Sequence, residues 1–389
     1  MDRISFNRPF IVGKELYYIA EAVIKGHTAG DGPFTHRCHE LMQNRFHIEK
    51  VLLTHSCTAA LEMAAILCDV GPGDEVILPS FTFVSTANAF YLRGATLKFI
   101  DIRPDTLNMD ETLLEKMITP KTKVIVPVHY AGVSCEMDSI MKIAAKYGIF
   151  VVEDAAQGLG ARYKGKFLGS LGHLGAFSFH ETKNVISGEG GALTINENRF
   201  YERAEIIREK GTNRRKFYRG EVDKYTWMDV GSSYLPSDII AAFLYGQLEN
   251  IDLILQKRRE IWEFYERELS PLAREGFFEL PTIPKECEHN HHIFQLILPT
   301  PQLREEFLEE MKKNEIGAVF HYVPLHLSPV GERLGGKKGD LPVTESYSAR
   351  LVRLPLYYSL AREQQEFIVK TICRFFARKS VQIGPVLEM

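Results

Sequence analysis

The chain lacks the patterns that would tie it to metal, disulfides, nucleic acid or membrane. Its 389 residues hold six cysteines, Cys38, Cys57, Cys68, Cys135, Cys287 and Cys373, scattered with no CxxC and no metal-ligand spacing. That pattern argues against a disulfide scaffold and for a reducing, cytoplasmic compartment. No apolar run reaches the roughly 20 residues of a membrane-spanning helix, and Met1-Asp2-Arg3-Ile4-Ser5 carries no apolar signal core. Neither sign of charge is in excess: a formal net charge of −3 exerts no global pull on nucleic acid. GxGxxG and GxxxxGK[ST] are both missing, which weakens dinucleotide and P-loop readings. Internal repeats and low-complexity tracts are also missing.

What is present suits a soluble globular protein, with 45% hydrophobic and 25% charged residues. The length suits a large domain plus a smaller one. From about 50 to 200, short β-rich runs alternate with amphipathic helical patterns, as in an α/β domain. The expected strands are Lys50–Thr54, Glu75–Leu78, Thr96–Phe99, Lys123–Val128, Phe150–Glu153 and Ala176–His180, with helices at Ala59–Cys68 and Met137–Lys146. Apolar residues at consecutive strand positions predict a sheet covered on both faces. Residues 205–235 predict a long functional arm, Ser237 to about Leu269 a helix, and His292–Leu298 a strand of a smaller α+β unit.

The chemistry lies in the order of a few residues. Val151-Val152-Glu153-Asp154 is an apolar strand ending in a carboxylate, and Gln157 follows closely. Gly175–Phe179 is a strand containing Ser178, which runs on to Lys183-Asn184 and then Gly188-Glu189-Gly190-Gly191. A lysine amine, a carboxylate for a pyridinium nitrogen and a hydroxyl for a phosphate are what a pyridoxal phosphate (PLP) site needs. Ser56 and Thr58 can start a helix directly after an apolar strand, giving free N–H donors and a dipole suited to phosphate. Phe83, following another strand, can stack on a planar ring. Gln157 can reach the ring's phenolic oxygen. Each alone has an ordinary explanation: a capped helix, a core phenylalanine, a strand-end ion pair, a solvated lysine.

Two further segments stand out. Arg208, Lys210, Arg214, Arg215, Lys216, Arg219 and Lys224 cluster with Tyr218, Tyr225 and Trp227. On composition this fits a solvated arm, a single-strand nucleic-acid platform, or groups that neutralise and stack on a nucleotide-sugar diphosphate. Beside the lysine and carboxylate motifs, the last reading is preferred and no nucleic-acid partner is expected. His326, in Phe320–His326, either approaches a substrate or is a core histidine.

Taken together, Ser56–Leu61, Pro79–Phe83, Glu153–Gln157, Phe177–Asn184 and Gly188–Gly191 resemble the motifs of the DegT/DnrJ/EryC1/StrS sugar aminotransferases over essentially the whole chain. The resemblance implies the α/β architecture of fold type I PLP-dependent transferases. A large domain over 1–250 would hold a mainly parallel seven-stranded sheet between helices, with a small α+β domain over 251–389. It implies PLP bound by Thr58, Ala59 and Ser178 at its phosphate, Phe83 on its ring, Asp154 at its nitrogen, Gln157 at its oxygen and Lys183 as the catalytic amine. It also implies a homodimer with shared active sites. Gly231-Ser232-Ser233-Tyr234-Leu235 departs from the family's G-Y-N-Y-R segment, so Ser233 stands where an asparagine usually reaches the partner's phosphate.

Together with His129-Tyr130-Ala131-Gly132, Lys210–Arg214 and Asp223–Trp227, this segment is similar to one branch of the family. That branch carries an amino group from L-glutamate to a dTDP-linked 4-keto-6-deoxy sugar, making dTDP-4-amino-4,6-dideoxygalactose. Lys210, Arg214, Lys224, Tyr225 and His326 are then the expected substrate contacts. Three alternatives stand beside this reading. One is an aminotransferase for another keto sugar nucleotide. Another is a dehydratase, which Lys183 opposes because that branch carries histidine there. The last is a non-catalytic regulator on the same fold.

Overall fold

The computed structural model describes residues 3–382 and the side chains of 3–379. In chain order its strands are β1 (Lys50–Thr54), β2 (Glu75–Pro79), β3 (Thr96–Ile100), β4 (Thr122–Ile125) and β5 (Phe150–Asp154). There follow β6 (Arg162–Tyr163), β7 (Lys166–Phe167), β8 (Leu174–Ser178), β9 (Gly191–Ile195), β10 (Cys287–Glu288), β11 (Gln295–Ile297) and β12 (Leu351–Arg353). Seven of these build one sheet in the spatial order β1-β9-β8-β5-β4-β2-β3. The run β3-β2-β4-β5-β8 pairs in parallel, whereas β9 is antiparallel to both β1 and β8. Six strands therefore point one way and β9 alone is reversed, so the sheet is mainly parallel, as expected.

Alternation along the strands explains why the sheet is covered twice. Successive side chains face opposite ways, so Leu52 joins one apolar cluster while Val51 and Leu53 join another. Ala176 and Phe177 divide in the same manner, and Ile77 leaves Val76 and Leu78 for a third cluster. Every residue of β8 and β9 is buried. Full burial of each such Leu, Ile or Phe contributes about 1.5–3 kcal/mol, and a strand with two covered faces has no position for a polar stripe.

The reversed strand β9 was not anticipated: Gly188–Gly191 drew attention as a motif, and the apolar run behind it went unread. The strand expected over 123–128 is paired only as Thr122–Ile125, with Val128 making a single bridge to Asp154. The arm expected over 205–235 is partly helical, with Tyr201–Arg208 and Arg214–Tyr218 as helices. Lys210 and Gly211 break between them at φ of +63° and +77°. A Cβ on Gly211 would stand 1.9 Å from the Asp229 carbonyl, so this reversal requires glycine.

The helix expected from Ser237 to Leu269 is two, Asp238–Glu249 and Ile251–Arg274, parted at Asn250. Ser237 caps the first by accepting from the Ile240 N–H. The second begins in the core of the large sheet through Ile251 and Ile254. It continues into a second core with Ile261, Trp262, Tyr265 and Leu269. That core includes Phe294, Phe307, Phe375 and Phe376, and also Ile4 from the start of the chain. β11, within the stretch expected as a strand at His292–Leu298, pairs antiparallel with β12 in this core. Among the described residues, no helix is long and apolar enough to cross a membrane.

Candidate active site

Four of the motifs leave the carboxyl ends of β1, β2, β5 and β8, which all point the same way and so open on one rim of the sheet. Open α/β sheets bind ligands at that rim. The reversed β9 delivers its beginning there instead: Gly191 pairs with both Thr54 and Ser178. A cavity of about 790 Å³ opens at this rim and is lined by Thr58, Phe83, Asp154, Gln157, Ser178 and Lys183 among others. Its size lies within the usual range for small-molecule sites.

At one end is the start of the helix Cys57–Leu67. Ser56 is its N-cap, accepting the Ala59 N–H at 3.1 Å, while Thr58 Oγ1 and Ser85 Oγ lie 2.7 Å apart. The Ser178 hydroxyl faces the same space and, among the described residues, holds only a 3.4 Å bond from the His180 N–H. Gly191 has no room for a side chain, since its Cβ would lie 2.4 Å from the Cys57 nitrogen. Ala59 corrects an expectation: it is buried off the cavity wall with its N–H already given to the cap. Ser56, Cys57 and Thr58 are the residues of this turn that meet the cavity.

At the middle, Asp154 is 5% exposed. Its Oδ2 accepts from Thr86 Oγ1 at 2.6 Å, and its Oδ1 from the Ala156 N–H at 3.1 Å. Thr86 is in turn 2.8 Å from the Thr82 hydroxyl. Gln157 takes the Ala131 N–H on Oε1 at 2.7 Å and donates Nε2 to the Tyr322 hydroxyl at 2.9 Å. Burial pushes the Tyr322 phenol up, so it stays protonated. Phe83 is 58% exposed on the lip, 6.5 Å from the Tyr322 ring. Below this layer, Glu153 is wholly buried and accepts from the N–H groups of Gly169, Leu171 and Gly172 and from His129 Nε2. His129 Nδ1 accepts the Cys135 N–H, which fixes the imidazole proton on Nε2.

Lys183 sits in the turn between β8 and β9, which is closed by bonds from the Glu181 N–H to Gly188 and from the Lys183 N–H to His180, both 2.9 Å. Burial lowers its ammonium below the ordinary lysine value, and the positive Arg353 pushes the same way. Asp154 and the Cys57 thiol oppose the shift. Asn184 anchors the turn, donating Nδ2 to the Asn290 carbonyl at 2.8 Å and meeting His292 Nδ1 at 2.8 Å. Asn290 donates onward to the carbonyls of Gln157 and Leu159. One network thus ties the lysine turn to the loop after Asp154.

The remaining expected contacts lie elsewhere on the subunit. Lys210, Arg214, Lys224, Tyr225 and Ser233 do not line the cavity. They lie along a strip joined by backbone bridges between Thr212 and Trp227 and between Glu209 and Ser233. There Arg214 donates to the Tyr218 hydroxyl, and Tyr225 packs against Phe217. His326 is a further correction: it is 1% exposed, with Nδ1 on Ser80 Oγ at 2.7 Å and Nε2 on Glu345 at 3.1 Å. Its ring links Ser80, just past β2, to Glu345, and His326 is not among the residues lining the cavity.

The sequence reading also missed cavity residues. Thr86 lies three residues past the Pro79–Phe83 motif and was unassigned, and Tyr322 lies two residues past Phe320 in a segment read only for its last histidine. Arg258 and Arg353 carried no local signal.

A free lysine amine of lowered basicity, a buried carboxylate and a helix N-terminus with a spare hydroxyl fit an aldehyde, a pyridinium and a phosphate in one ligand. That combination on this sheet defines a fold type I PLP-dependent aminotransferase. The model of the DegT/DnrJ/EryC1/StrS aminotransferase family matches residues 11–373, and the chain belongs to that family. The spore coat polysaccharide biosynthesis protein SpsC of Bacillus subtilis is 31% identical, over 95% of this chain and 96% of its own length. The GDP-perosamine synthase of Caulobacter vibrioides is 30% identical, over 96% and 98%. Among solved structures, the PLP form of Spr1654 from Streptococcus pneumoniae superposes with a TM-score of 0.89 at 27% identity, over 97% of this chain and 99% of that one.

Proposed function

We propose that this sugar aminotransferase moves the amino group of L-glutamate to C4 of a 4-keto-6-deoxy nucleotide sugar. The acceptor we favour is dTDP-4-dehydro-6-deoxy-D-glucose, giving dTDP-4-amino-4,6-dideoxy-D-galactose. The observation that carries the reaction is Lys183, half-buried and of lowered basicity, in one cavity with Asp154, Gln157 and Ser178. The choice of sugar rests on the 129–132, 210–214, 223–227 and 231–235 segments, which resemble the branch that aminates a dTDP sugar.

In this reading Ser178, Thr58 and the first turn of the helix Cys57–Leu67 hold the phosphate of PLP. Phe83 covers the ring, Asp154 keeps the pyridine nitrogen protonated, and Gln157 donates to the ring oxygen. Bound PLP supplies an electron sink for the bond that breaks at the amino-bearing carbon. Lys183 Nζ does the proton work: it takes the α-proton of glutamate as 2-oxoglutarate forms, and later delivers a proton to the sugar carbon that gains nitrogen. Its lowered basicity keeps more of the amine neutral and able to accept.

The strip with Lys210, Arg214, Lys224, Tyr225 and Ser233 fits a second subunit's site, since it is exposed and away from the cavity of its own chain. We therefore read the enzyme as a cytoplasmic homodimer with shared sites. A GDP-linked acceptor is a second reading, favoured by the GDP-perosamine synthase likeness.

The test is the absorbance of the PLP-loaded protein. L-Glutamate should convert the lysine-bound cofactor to its aminated form, and dTDP-4-keto-6-deoxyglucose should reverse it. Reversal by the GDP-linked counterpart alone would move the assignment to that nucleotide. No change with glutamate would overturn the amino donor.

A further inference from the structure

Asn290, between β10 and β11, is 3% exposed and is bonded to Asn184 across 106 residues of chain. Its Nδ2 donates to two carbonyls, those of Gln157 at 2.8 Å and Leu159 at 2.9 Å. Its own carbonyl accepts Asn184 Nδ2 at 2.8 Å, one residue after Lys183. Among side chains this short, only an amide NH2 offers two donors; a serine offers one and an aspartate none.

The same carboxamide packs against the turn at 131–132. A Cβ on Gly132 would fall 1.9 Å from Asn290 Oδ1 and 3.1 Å from the Gln157 carbonyl oxygen. One residue earlier, the Ala131 N–H holds Gln157 Oε1 at 2.7 Å, which leaves Nε2 to meet the Tyr322 hydroxyl on the cavity wall. The Asn290 side chain therefore touches both supports of Gln157, its main-chain carbonyl and the turn that orients its amide. It keeps this arrangement at a cost, since Oδ1 has no hydrogen-bond partner among the described residues.

The segment is held in turn by the long helix Ile251–Arg274. Arg258, 2% exposed, donates Nε and Nη2 to the carbonyls of His291 and His292 at 3.1 and 2.6 Å, and Trp262 Nε1 reaches the Ile293 carbonyl at 3.0 Å. His292 Nδ1 lies 2.8 Å from Asn184 Oδ1, so both ends of that amide are engaged. We infer that Asn290 is a positioning residue that sets the spacing between Gln157 and Lys183, its side chain fixing the first and its main-chain carbonyl the turn of the second. This inference rests on the proposed roles of those two residues. The ring oxygen and the aldehyde of PLP stand on adjacent ring carbons, so a donor for one and an amine for the other must keep one spacing. A misplacement of about 1 Å costs up to about 100-fold in rate.

Asn290→Ala separates the two arms, because it removes the side-chain donors and keeps the carbonyl. In the proposed site Gln157 Nε2 stabilises negative charge on the ring oxygen, which lets the neighbouring lysine-bound nitrogen shed its proton at lower pH. Titrating the absorbance of the PLP-loaded protein should therefore give a midpoint about one pH unit higher in Asn290→Ala than in the parent. Half-reaction kcat should fall roughly 10- to 100-fold, with KM within about threefold. Gln157→Ala should raise the midpoint at least as far, and adding Asn290→Ala to it should shift it no further, as for two groups acting in series. Asn290→Ser, with one donor left, should fall between and replaces the alanine variant if that does not fold. A parent-like midpoint in a folded variant, or an added shift in the double variant, would overturn the assignment. Failure of the proposed role of Gln157 looks different, because Gln157→Ala itself would then leave the midpoint in place. Faster amide exchange at Ala131 in cofactor-free Asn290→Ala would still show that Asn290 fixes Gln157, and unchanged exchange would overturn that as well.

Discussion

The hydroxyl of Thr86 donates to Asp154 Oδ2 at 2.6 Å, from a helix that begins one residue after Phe83. The residue at the cavity lip and the support of the buried carboxylate therefore share one short helix. A hydrogen bond to a charged group is worth about 1.5–3 kcal/mol, so Thr86→Val, nearly the same shape, removes that support without opening a void. We expect turnover about 10- to 100-fold lower, with weaker cofactor retention and a melting temperature within a few degrees. Stopped-flow half-reactions and dialysis against buffer check it. Unaltered turnover would show that Asp154 needs no help from this hydroxyl.

Gly191 and Gly188 make a paired test of the turn behind Lys183. At Gly191 a Cβ would strike the Ser56–Cys57 peptide at 2.4 Å, while at Gly188 it meets nothing within 4 Å but sits at φ +82°. Gly188→Ala should cost about 1–2 kcal/mol from the left-handed backbone alone and leave the cofactor bound. Gly191→Ala should cost about 1–3 kcal/mol from overpacking and, because the displaced peptide opens the phosphate-facing helix, should weaken PLP affinity at least tenfold. Fluorescence titration with PLP separates the two.

The lowered basicity of Lys183 has a stability consequence in the cofactor-free protein. The folded state disfavours its ammonium, so the unfolded chain binds the proton more tightly. The penalty is complete at pH values below the folded-state pKa. It shrinks as pH rises from that value toward the ordinary 10.5 and vanishes above it. Lys183→Met should therefore melt higher than the parent at neutral pH when PLP is absent, with the difference closing in alkali. With PLP added, only the parent should gain stability. A difference that stays flat from pH 7 to 10.5 would mean that the amine is not desolvated.

Much of this site is legible in the sequence because its residues sit at strand ends. An apolar run that stops at Asp154 or Ser178 locates both the element and the rim, and the chemistry follows from residue type. Strand β9 is harder, because glycines at its start read as a turn and its reversed direction comes from pairing alone. Ala59 was misplaced by one step because the cap at Ser56 consumes its N–H, a local competition that residue type does not reveal. Arg258 and Arg353 come from the second core, more than 70 residues after Lys183. No spacing rule links them to it; only the packing of two cores brings them to the cavity.

His326 shows the opposite error, a residue whose type suggested chemistry and whose setting does not. Both ring nitrogens are engaged, by Ser80 and Glu345, and Glu345 also accepts from the Gly339 N–H at 2.7 Å. The Ser80 hydroxyl accepts the His326 N–H as well, so the ring clamps the end of β2 to the segment around 339–345. Glu345 lies below the ordinary glutamate value, with His326 and two backbone N–H groups opposing the effect of burial. Its stabilisation is present above the ordinary carboxylate range and lost as pH falls through the folded value. His326→Ala should cost about 2–4 kcal/mol through a cavity and two lost bonds. It should make the remaining stability less sensitive to acid, and leave kcat/KM for both substrates within threefold per folded molecule. Chemical denaturation between pH 4 and 8, alongside steady-state kinetics, gives both numbers. A selective rise in KM for the sugar nucleotide, with stability intact, would return His326 to the substrate site.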